Sequence, residues 1–126
     1  MPRTTTGQRV QAAHQEWYVA GATPGATYAA VELSNGERTT STLGAGPYVS
    51  LECYASCATQ GATVKLQART THDGAWRDLS GTETALTAGA AASEIYSGVL
   101  RAAEVRLAAK YTTTTGAVLT AEICLK

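Results

Sequence analysis

The sequence predicts an all-β fold, an antiparallel β-sandwich of jelly-roll-like type with eight or nine short strands and an extended N-terminal arm. Three observations support this prediction. Apolar and polar residues alternate in several segments, and turn signals containing Gly, Pro or Asn recur about every ten residues. Threonine, which packs well on a pleated surface, occurs 20 times. Short strands joined by close turns are typical of sandwiches and jelly rolls.

The chain of 126 residues is expected to form one domain, residues 16–126, preceded by the arm, residues 1–15. The arm is polar, and only Val10 and Ala12 hint at alternation. Leu, Val and Ile together number 20 and there is no Phe, so the predicted core is thin. The net charge of zero is not that of a disordered chain. We therefore expect a folded domain that gains part of its stability from a partner or sister subunit.

Three short strands are predicted in the first part of the domain. Residues 16–20 form an aromatic strand, which ends at a loop containing Gly and Pro. Residues 27–33 and 38–43 form the next two strands. Residues 34–37, with Asn-Gly at their centre, predict the hairpin turn between them.

The alternation is clearest in the middle of the chain. Residues 48–55 place Val49, Leu51, Cys53 and Ala55 on one face and Tyr48, Ser50, Glu52 and Tyr54 on the other. Residues 62–69 alternate in the same way. The dipeptide Asp73-Gly74 predicts a tight hairpin turn with positive φ angles, and Trp76 and Leu79 are expected to anchor the returning strand.

The last part of the chain predicts a surface loop, a short strand and a closing hairpin. Residues 81–93 are mainly Ala, Gly and Thr and lack a helical apolar stripe, so a loop is expected. Residues 94–100 form the short strand. Residues 104–111 and 119–125 alternate, and the Thr-rich turn at 113–116 is predicted to join them.

Charge and hydropathy argue against two kinds of partner, nucleic acid and membrane. Ten basic residues balance ten acidic ones, and no Lys/Arg cluster is longer than a pair, so nucleic acid is not an expected partner. No apolar run approaches the roughly 20 residues that cross a bilayer, and the N-terminus lacks the apolar region of a secretory signal. A protein made in the cytosol, or already processed, is expected.

The three cysteines do not form a complete disulfide framework. On one strand Cys53 and Cys57 would lie roughly 13 Å apart, beyond the ~7 Å limit for a bridge. Cys124 could pair with either across strands, or all three could be reduced. A zinc site needs four ligands in paired spacings, and only His14 and His72 could complete it, so neither a metal nor another cofactor is expected.

No residues in the sequence form a recognisable catalytic constellation, and no enzyme is predicted. His72 and Asp73 are adjacent, but their place in a turn explains both, and His72 is expected to be solvated. The glutamates at 52, 104 and 122 fall on polar strand faces. There they are expected to form charge pairs with Lys65, Arg69, Arg106 or Lys110.

Aromatic residues suggest a binding surface. Tyr48 and Tyr54 are predicted to face outward, and at least one ring of Trp17 and Tyr18 must do the same. Exposed Tyr and Trp favour contact with protein or sugar. The alternative is that these rings cover the edges of a thin core.

Residues 64–80, VKLQARTTHDGAWRDLS, together with Tyr96, Arg101, the Val105-Arg106-Leu107 strand and the later Thr-Gly turn, resemble small β-sandwich structural proteins of tailed bacteriophages. The resemblance covers roughly residues 47–126. It implies a virion protein made in the host cytoplasm, either a capsid decoration or cement protein or a tail-accessory protein. The major capsid protein or another virion protein is then the expected partner, and the chain is expected to form a homo-oligomer.

A carbohydrate-binding β-sandwich module of a tail fibre or a secreted enzyme is the alternative, because such modules have similar sequences. For a virion protein the arm, with Trp17 and Tyr18, is the expected contact, whereas a carbohydrate-binding module would use exposed Tyr and Trp as stacking platforms. The candidate interface residues are Val10, His14, Trp17, Tyr18, Tyr48 and Tyr54.

Overall fold

The computed structural model describes residues 15–46 and 48–126. The predicted arm, with Val10 and His14, therefore lies outside the described residues, apart from residue 15. The described chain is built from strands and contains no helix. The strands are β1 (Gln15–Ala22), β2 (Ala29–Ala30), β3 (Leu33–Ser34), β4 (Thr39–Thr40), β5 (Leu43–Gly44), β6 (Ser50–Ala58), β7 (Ala62–Arg69), β8 (Arg77–Asp78), β9 (Thr84–Leu86), β10 (Ser93–Val99), β11 (Glu104–Tyr111) and β12 (Val118–Leu125).

These strands form two antiparallel sheets, which confirms the predicted all-β sandwich. The first sheet has the order β10-β6-β12-β1-β3-β4. The second has the order β2-β11-β7-β8, with β5 also pairing with β11 and β9 with β7. The described residues form twelve strands instead of the expected eight or nine, because two predicted strands are each divided between the two sheets and the loop expected at 81–93 contains β9.

One apolar core lies between the two sheets. Its largest fully buried side chains come from long strands of both sheets, among them Trp17, Leu51, Leu66, Leu107 and Ile123. Alanines fill much of the remaining interior, so the core is as poor in large side chains as the composition predicts. Among the described residues, the core members run from Trp17 to Leu125.

The period-two pattern correctly predicts burial along the central strands. In β6 the buried residues are Leu51, Cys53, Ala55 and Cys57, and the residues between them are half-buried. β7 alternates in the same way. Val49, which we predicted to face inward, is 67% exposed because it precedes β6 at the end of the sheet.

The Asn-Gly turn between β3 and β4 is confirmed. Ser34 pairs with Thr39, and Gly36 has φ +94°, a value that glycine adopts without strain. The backbone N–H groups of Glu37 and Arg38 both donate to the Asn35 side-chain oxygen, at 2.9 and 3.0 Å. The Asn-Gly signal in the local sequence thus correctly predicts this turn.

The tight turn predicted at Asp73-Gly74 is wrong. β7 and β8 do pair, but residues 70–76 connect them, and neither Asp73 nor Gly74 has a positive φ. Gly74 N–H donates to Thr71 O at 3.1 Å, which closes a wider turn within this longer connection. A longer connection does not need the left-handed backbone of a two-residue hairpin.

Two predicted strands cross from one sheet to the other. Residues 27–33 divide into β2 in the second sheet and β3 in the first. Residues 38–43 divide into β4 in the first sheet and the start of β5 in the second. The predicted C-terminal hairpin is also wrong, since β11 and β12 belong to different sheets and residues 112–117 cross between them.

The predicted loop at 81–93 contains a strand. β9 pairs with β7, with Ala85 opposite Thr63, and Leu86 is buried in the core. The short strand expected after the loop is confirmed as β10. In the described part of the chain, no helix has the length and apolar character needed to span a membrane.

The three cysteines are reduced. Cys53 and Cys57 point into the core from β6, and Cys124 faces outward from β12, where it is opposite Glu52. The predicted alternative of a cross-strand disulfide is therefore not formed. Burial, with a smaller contribution from Glu122, raises the pKa of the Cys53 thiol to about 12, so this thiol stays protonated and behaves as an apolar core side chain.

Candidate functional site

The outer face of the first sheet carries two tyrosines in one row of paired residues. Across the sheet, Tyr18 of β1 lies opposite Glu122 of β12, which lies opposite Tyr54 of β6, which lies opposite Glu94 of β10. Neighbouring strands are about 4.8 Å apart, so the row extends over roughly 14 Å. We call this row, with the adjacent outward residues Glu16 and Glu52, the tyrosine face.

The two rings differ in how they are held. Tyr18 is 58% exposed, the largest exposed fraction of any aromatic side chain in the described residues. Tyr54 is half-buried, and its hydroxyl donates to Glu94 Oε2 at 3.2 Å. This hydrogen bond and the charge of Glu94 raise the pKa of Tyr54. The face therefore offers one free ring and one oriented ring.

The tyrosine face is also acidic. Its four outward glutamates, at 16, 52, 94 and 122, surround the rings. Lys126 approaches Glu52 at 3.6 Å. Two shallow clefts of about 390 and 260 Å³ lie on this face, and Tyr18, Tyr54 and Glu122 line both. A partner with hydrogen-bond donors or positive charge fits such a surface.

The outer face of the second sheet is covered by its own aromatic side chains. The guanidinium carbons of Arg69 and Arg106 lie 4.5 and 4.3 Å from the ring centre of Trp76. Tyr28 is packed in the same way by Lys65 and Lys110, whose ammonium nitrogens lie 4.1 and 5.0 Å from its ring centre. Such cation–π contacts hold each ring against the sheet.

Side-chain hydrogen bonds join the polar groups beneath these rings. Arg69 forms an ion pair with Glu104 at 2.6 Å, and His72 Nδ1 lies 3.2 Å from the other oxygen of that carboxylate. Burial raises the pKa of Glu104. The hydrogen bonds and charges of Arg69 and His72 together lower it by more than burial raises it, so the net shift of the pKa is downward. His72 is 83% exposed, as its predicted place in a turn requires.

A second group of hydrogen bonds lies beside the first. Gln67 donates to Asp78 at 2.8 Å and accepts from Arg106 at 2.9 Å, while Lys65 pairs with Asp78 at 3.0 Å. Donation from Gln67 and Lys65 lowers the pKa of Asp78. Glu104 does form one of the charge pairs expected from the sequence, with Arg69. The charges on this face are therefore largely satisfied within the molecule.

The predicted interface residues are only partly brought together. Tyr18 and Tyr54 share the tyrosine face, as described. Trp17 is not a surface contact: it is 1% exposed, because its position in β1 points into the core opposite Ile123. Its indole N–H has no acceptor among the described residues.

Tyr48 lies apart from the other two tyrosines. It packs against the core, and its hydroxyl lies 3.5 Å from the Gln15 side-chain oxygen. Its half-buried position fits the alternative interpretation, an aromatic ring at the edge of a thin core. Val10 and His14 lie outside the described residues.

Sequence reasoning missed the covered face. Trp76 was expected to be a core anchor, but it stacks on the outward arginines, and only Leu79 packs against the core. One sequence signal could have predicted this covering. The outward positions of two strands carry the basic residues Lys65, Arg69 and Arg106, and the connection after β7 ends in the aromatic residue Trp76. Among the described residues, no group of three or more His, Cys, Asp or Glu side chains could hold a metal ion.

No family model and no curated protein matches the chain. Among solved structures, a chain from the structure of infectious bursal disease virus, Gx strain, is similar over 89% of this chain, with 10% sequence identity and a TM-score of 0.45. This chain covers 31% of that longer chain.

Proposed function

We propose that this chain is a structural protein of a tailed-phage particle, a decoration or cement protein that binds the assembled shell and bridges its subunits. The observation that carries the proposal is the tyrosine face. It presents Tyr18 at 58% exposure on a broad strand surface, whereas the opposite outer face is covered by the molecule's own rings. The proposed activity is adhesion without chemical turnover.

The physical basis is a modest contact repeated many times. Tyrosine supplies a large contact area at low cost in side-chain entropy, and the surrounding carboxylates can orient a partner through hydrogen bonds. A single such contact is weak, but a copy attached at two or more points dissociates far more slowly. The proposed partner is the major capsid protein or another virion protein, which places the protein in the virion after synthesis in the host cytoplasm.

Binding to particles tests this proposal. Purified protein would be sedimented with source-phage particles that lack it, and bound copies would be counted by quantitative mass spectrometry. The double variant Tyr18→Ser/Tyr54→Ser should lose binding because the contact area is removed. Tyr28→Ser, the same substitution on the covered face, is the matched control and should bind like the native chain. Full binding by the double variant would contradict the assignment of the tyrosine face.

A second candidate function is carbohydrate binding, as a module of a tail fibre or a secreted enzyme. One observation favours it: Glu122 lies between two tyrosines in the same row. Aromatic rings stack on the apolar faces of sugars, and a carboxylate between them can accept hydrogen bonds from hydroxyl groups. A glycan array separates the two candidates. Specific retention that Glu122→Gln abolishes would support sugar binding, and a blank array with particle binding would support the structural role.

A further inference from the structure

A groove of about 600 Å³ lies where the chain crosses from the second sheet to the first. One wall is the β1 segment from Val19 to Ala22, and the other is residues 29–32, which leave β2 and enter β3. Leu119 and Ala109 lie between these walls. The volume is within the ~300–1,000 Å³ typical of clefts that bind ligands. Of the residues that form the tyrosine face, only Tyr18 also lines the groove.

The β1 wall of this groove is paired on one side. β1 pairs with β12 from Gln15 to Ala22 but with β3 only at Tyr18, opposite Ser34. Beyond that point the neighbouring chain turns to the second sheet, where Val31 N–H donates to Leu107 O at 2.8 Å. The remaining edge of β1, residues 19–22, therefore borders the groove rather than another strand of the described chain. Such an edge is a template for an added strand.

The opposite wall shows that apolar surface is left uncovered. Ala29 shares the face of Ala109, its pairing partner, which is 1% exposed in the core. Ala29 is nevertheless exposed, because no strand of the first sheet that the structure describes covers this edge of the second sheet. Small side chains line most of the groove, and Glu32 is its one charged residue among the described lining residues.

We propose that the N-terminal segment, residues 1–14, of a second copy of this chain occupies the groove and adds a strand to the open edge of β1. This segment, MPRTTTGQRVQAAH, is rich in small residues and contains Val10 and Ala12 at period-two spacing, which suits a groove lined by alanine and glycine. Arg3 and Arg9 complement the charge of Glu32. Fourteen residues can extend over roughly 46 Å, far enough to reach a neighbouring molecule.

The position of Gln15 argues for a second copy rather than the same molecule. β1 starts at Gln15, and the groove lies at the other end of this strand. To reach it, a molecule's own segment would have to reverse and run beside β1 on the side where Ser34 of β3 already pairs with Tyr18. A segment from a second copy can enter from the open end. Each molecule then inserts its N-terminal segment into the groove of a neighbour, which gives a non-covalent oligomer. The formation of this oligomer does not depend on binding to a shell.

The first experiment measures the binding of the segment itself. A fluorescent peptide of residues 1–14 would be titrated against a chain lacking residues 2–14, after circular dichroism has confirmed that this chain folds like the native one. We expect saturable binding by fluorescence anisotropy, and Ala29→Trp should abolish it by filling the groove. Ala85→Trp is the matched control, because Ala85 is exposed in β9 at the other edge of the same sheet. A peptide with the same composition in scrambled order should not bind.

A complementation experiment distinguishes a second copy from the same molecule. The full-length Ala29→Trp variant has the segment but a filled groove, and the truncated chain has the groove but no segment. Each should be monomeric by sedimentation velocity, and their mixture should form a 1:1 heterodimer. The native chain should be oligomeric, and Val10→Pro should weaken its association about tenfold by removing one strand hydrogen bond. A monomeric native chain, or a mixture that stays monomeric, would overturn the proposal.

Glu32→Lys provides a second way to test the groove if Ala29→Trp disturbs folding. It should weaken peptide binding about fivefold by replacing an attraction to arginine with a repulsion. Asp73→Lys, at an exposed position in the connection between β7 and β8, is its control and should leave binding unchanged. Equal binding by Glu32→Lys and the truncated parent would contradict the proposed site. None of these measurements involves a particle, so their failure would not bear on the proposed shell binding.

Discussion

The two outer faces of the sandwich arise from the same sequence pattern but differ in how far they are covered by other side chains. Each is the polar half of a period-two pattern. On the second sheet, Trp76 and Tyr28 fold back over the outward cations, and the charges are paired. On the first sheet, Tyr18 stands exposed among glutamates. A polar strand face can therefore be a stabilising layer or a contact surface, depending on the loops that adjoin it.

The loops account for the difference. Tyr28 lies in the chain just before β2, and Trp76 ends the connection between β7 and β8. Both segments belong to the second sheet, so their rings reach its outer face. One sign of this covering is Ala108, which points outward from β11 but is only 2% exposed. We therefore expect substitutions on the covered face to lower stability and those on the tyrosine face to leave it unchanged.

The largest effect is expected for Trp76→Ala. This change removes two cation–π contacts and a half-buried ring, so the free energy of unfolding should fall by about 2 kcal/mol. Urea denaturation followed by circular dichroism measures it. Trp76→Phe, which keeps a ring over Arg69 and Arg106, should recover about half of the loss. A loss below ~0.5 kcal/mol would show that Trp76 does not stabilise the face, and the comparison would fail.

A smaller effect is expected for Glu104→Gln. Glu104 and Arg69 are both largely buried from solvent, at 14% and 21% side-chain exposure, and lie 2.6 Å apart. Loss of the charge should lower the free energy of unfolding by about 1 kcal/mol. A double-mutant cycle with Arg69→Gln isolates the pair from other effects of each change. A coupling energy near zero would mean that Glu104 and Arg69 lie close together without stabilising the fold.

The paired carboxylates also predict how stability depends on pH. The pKa values of Glu104 and Asp78 lie below their ordinary values of 4.5 and 3.8 in the folded chain. The unfolded chain therefore binds protons at higher pH than the folded chain does, so this stabilisation is fully present above the ordinary values and is lost as the pH falls through the lowered ones. Thermal unfolding between pH 7 and pH 2 should show the decline. The stability of the double variant Glu104→Gln/Asp78→Asn should decline less as the pH falls. If the double variant and the native chain lose stability equally, these two carboxylates are not the source of the pH dependence.

The sequence predicts the strands of this fold better than their partners. Alternation in β6, β7, β11 and β12 depends only on each residue's own polarity. β7 and β11 have the predicted bounds and β12 starts one residue earlier, whereas β6 runs from Ser50 to Ala58 and leaves Val49 outside the strand. Pairing depends on contacts between distant segments. The crossing at residues 112–117 contains Thr and Gly as a hairpin would, but its two strands lie in different sheets. Local turn chemistry is the same in both arrangements.

The candidate site was predictable to a similar extent. Period two places Tyr54 outward, and it requires one of Trp17 and Tyr18 to face inward; the structure shows that this is Trp17. The register of β12 brings Tyr18, Glu122 and Tyr54 into one row on the tyrosine face. No local pattern specifies this register. The covering of the second sheet by Trp76 depends on a loop conformation, and the groove beside β1 depends on a crossover. Neither follows from alternation.

The smallest effect on stability is expected on the tyrosine face. Tyr18→Ser removes a ring that is 58% exposed, so the free energy of unfolding should change by less than about 0.5 kcal/mol. Tyr28→Ser, the same change under Lys65 and Lys110, should cost more because its ring is packed and its hydroxyl donates to Glu83 at 2.5 Å. Urea denaturation of both variants gives the two values under one set of conditions. If Tyr18→Ser proves the more destabilising of the two, the tyrosine face is part of the folded core layer rather than a surface kept open for a partner.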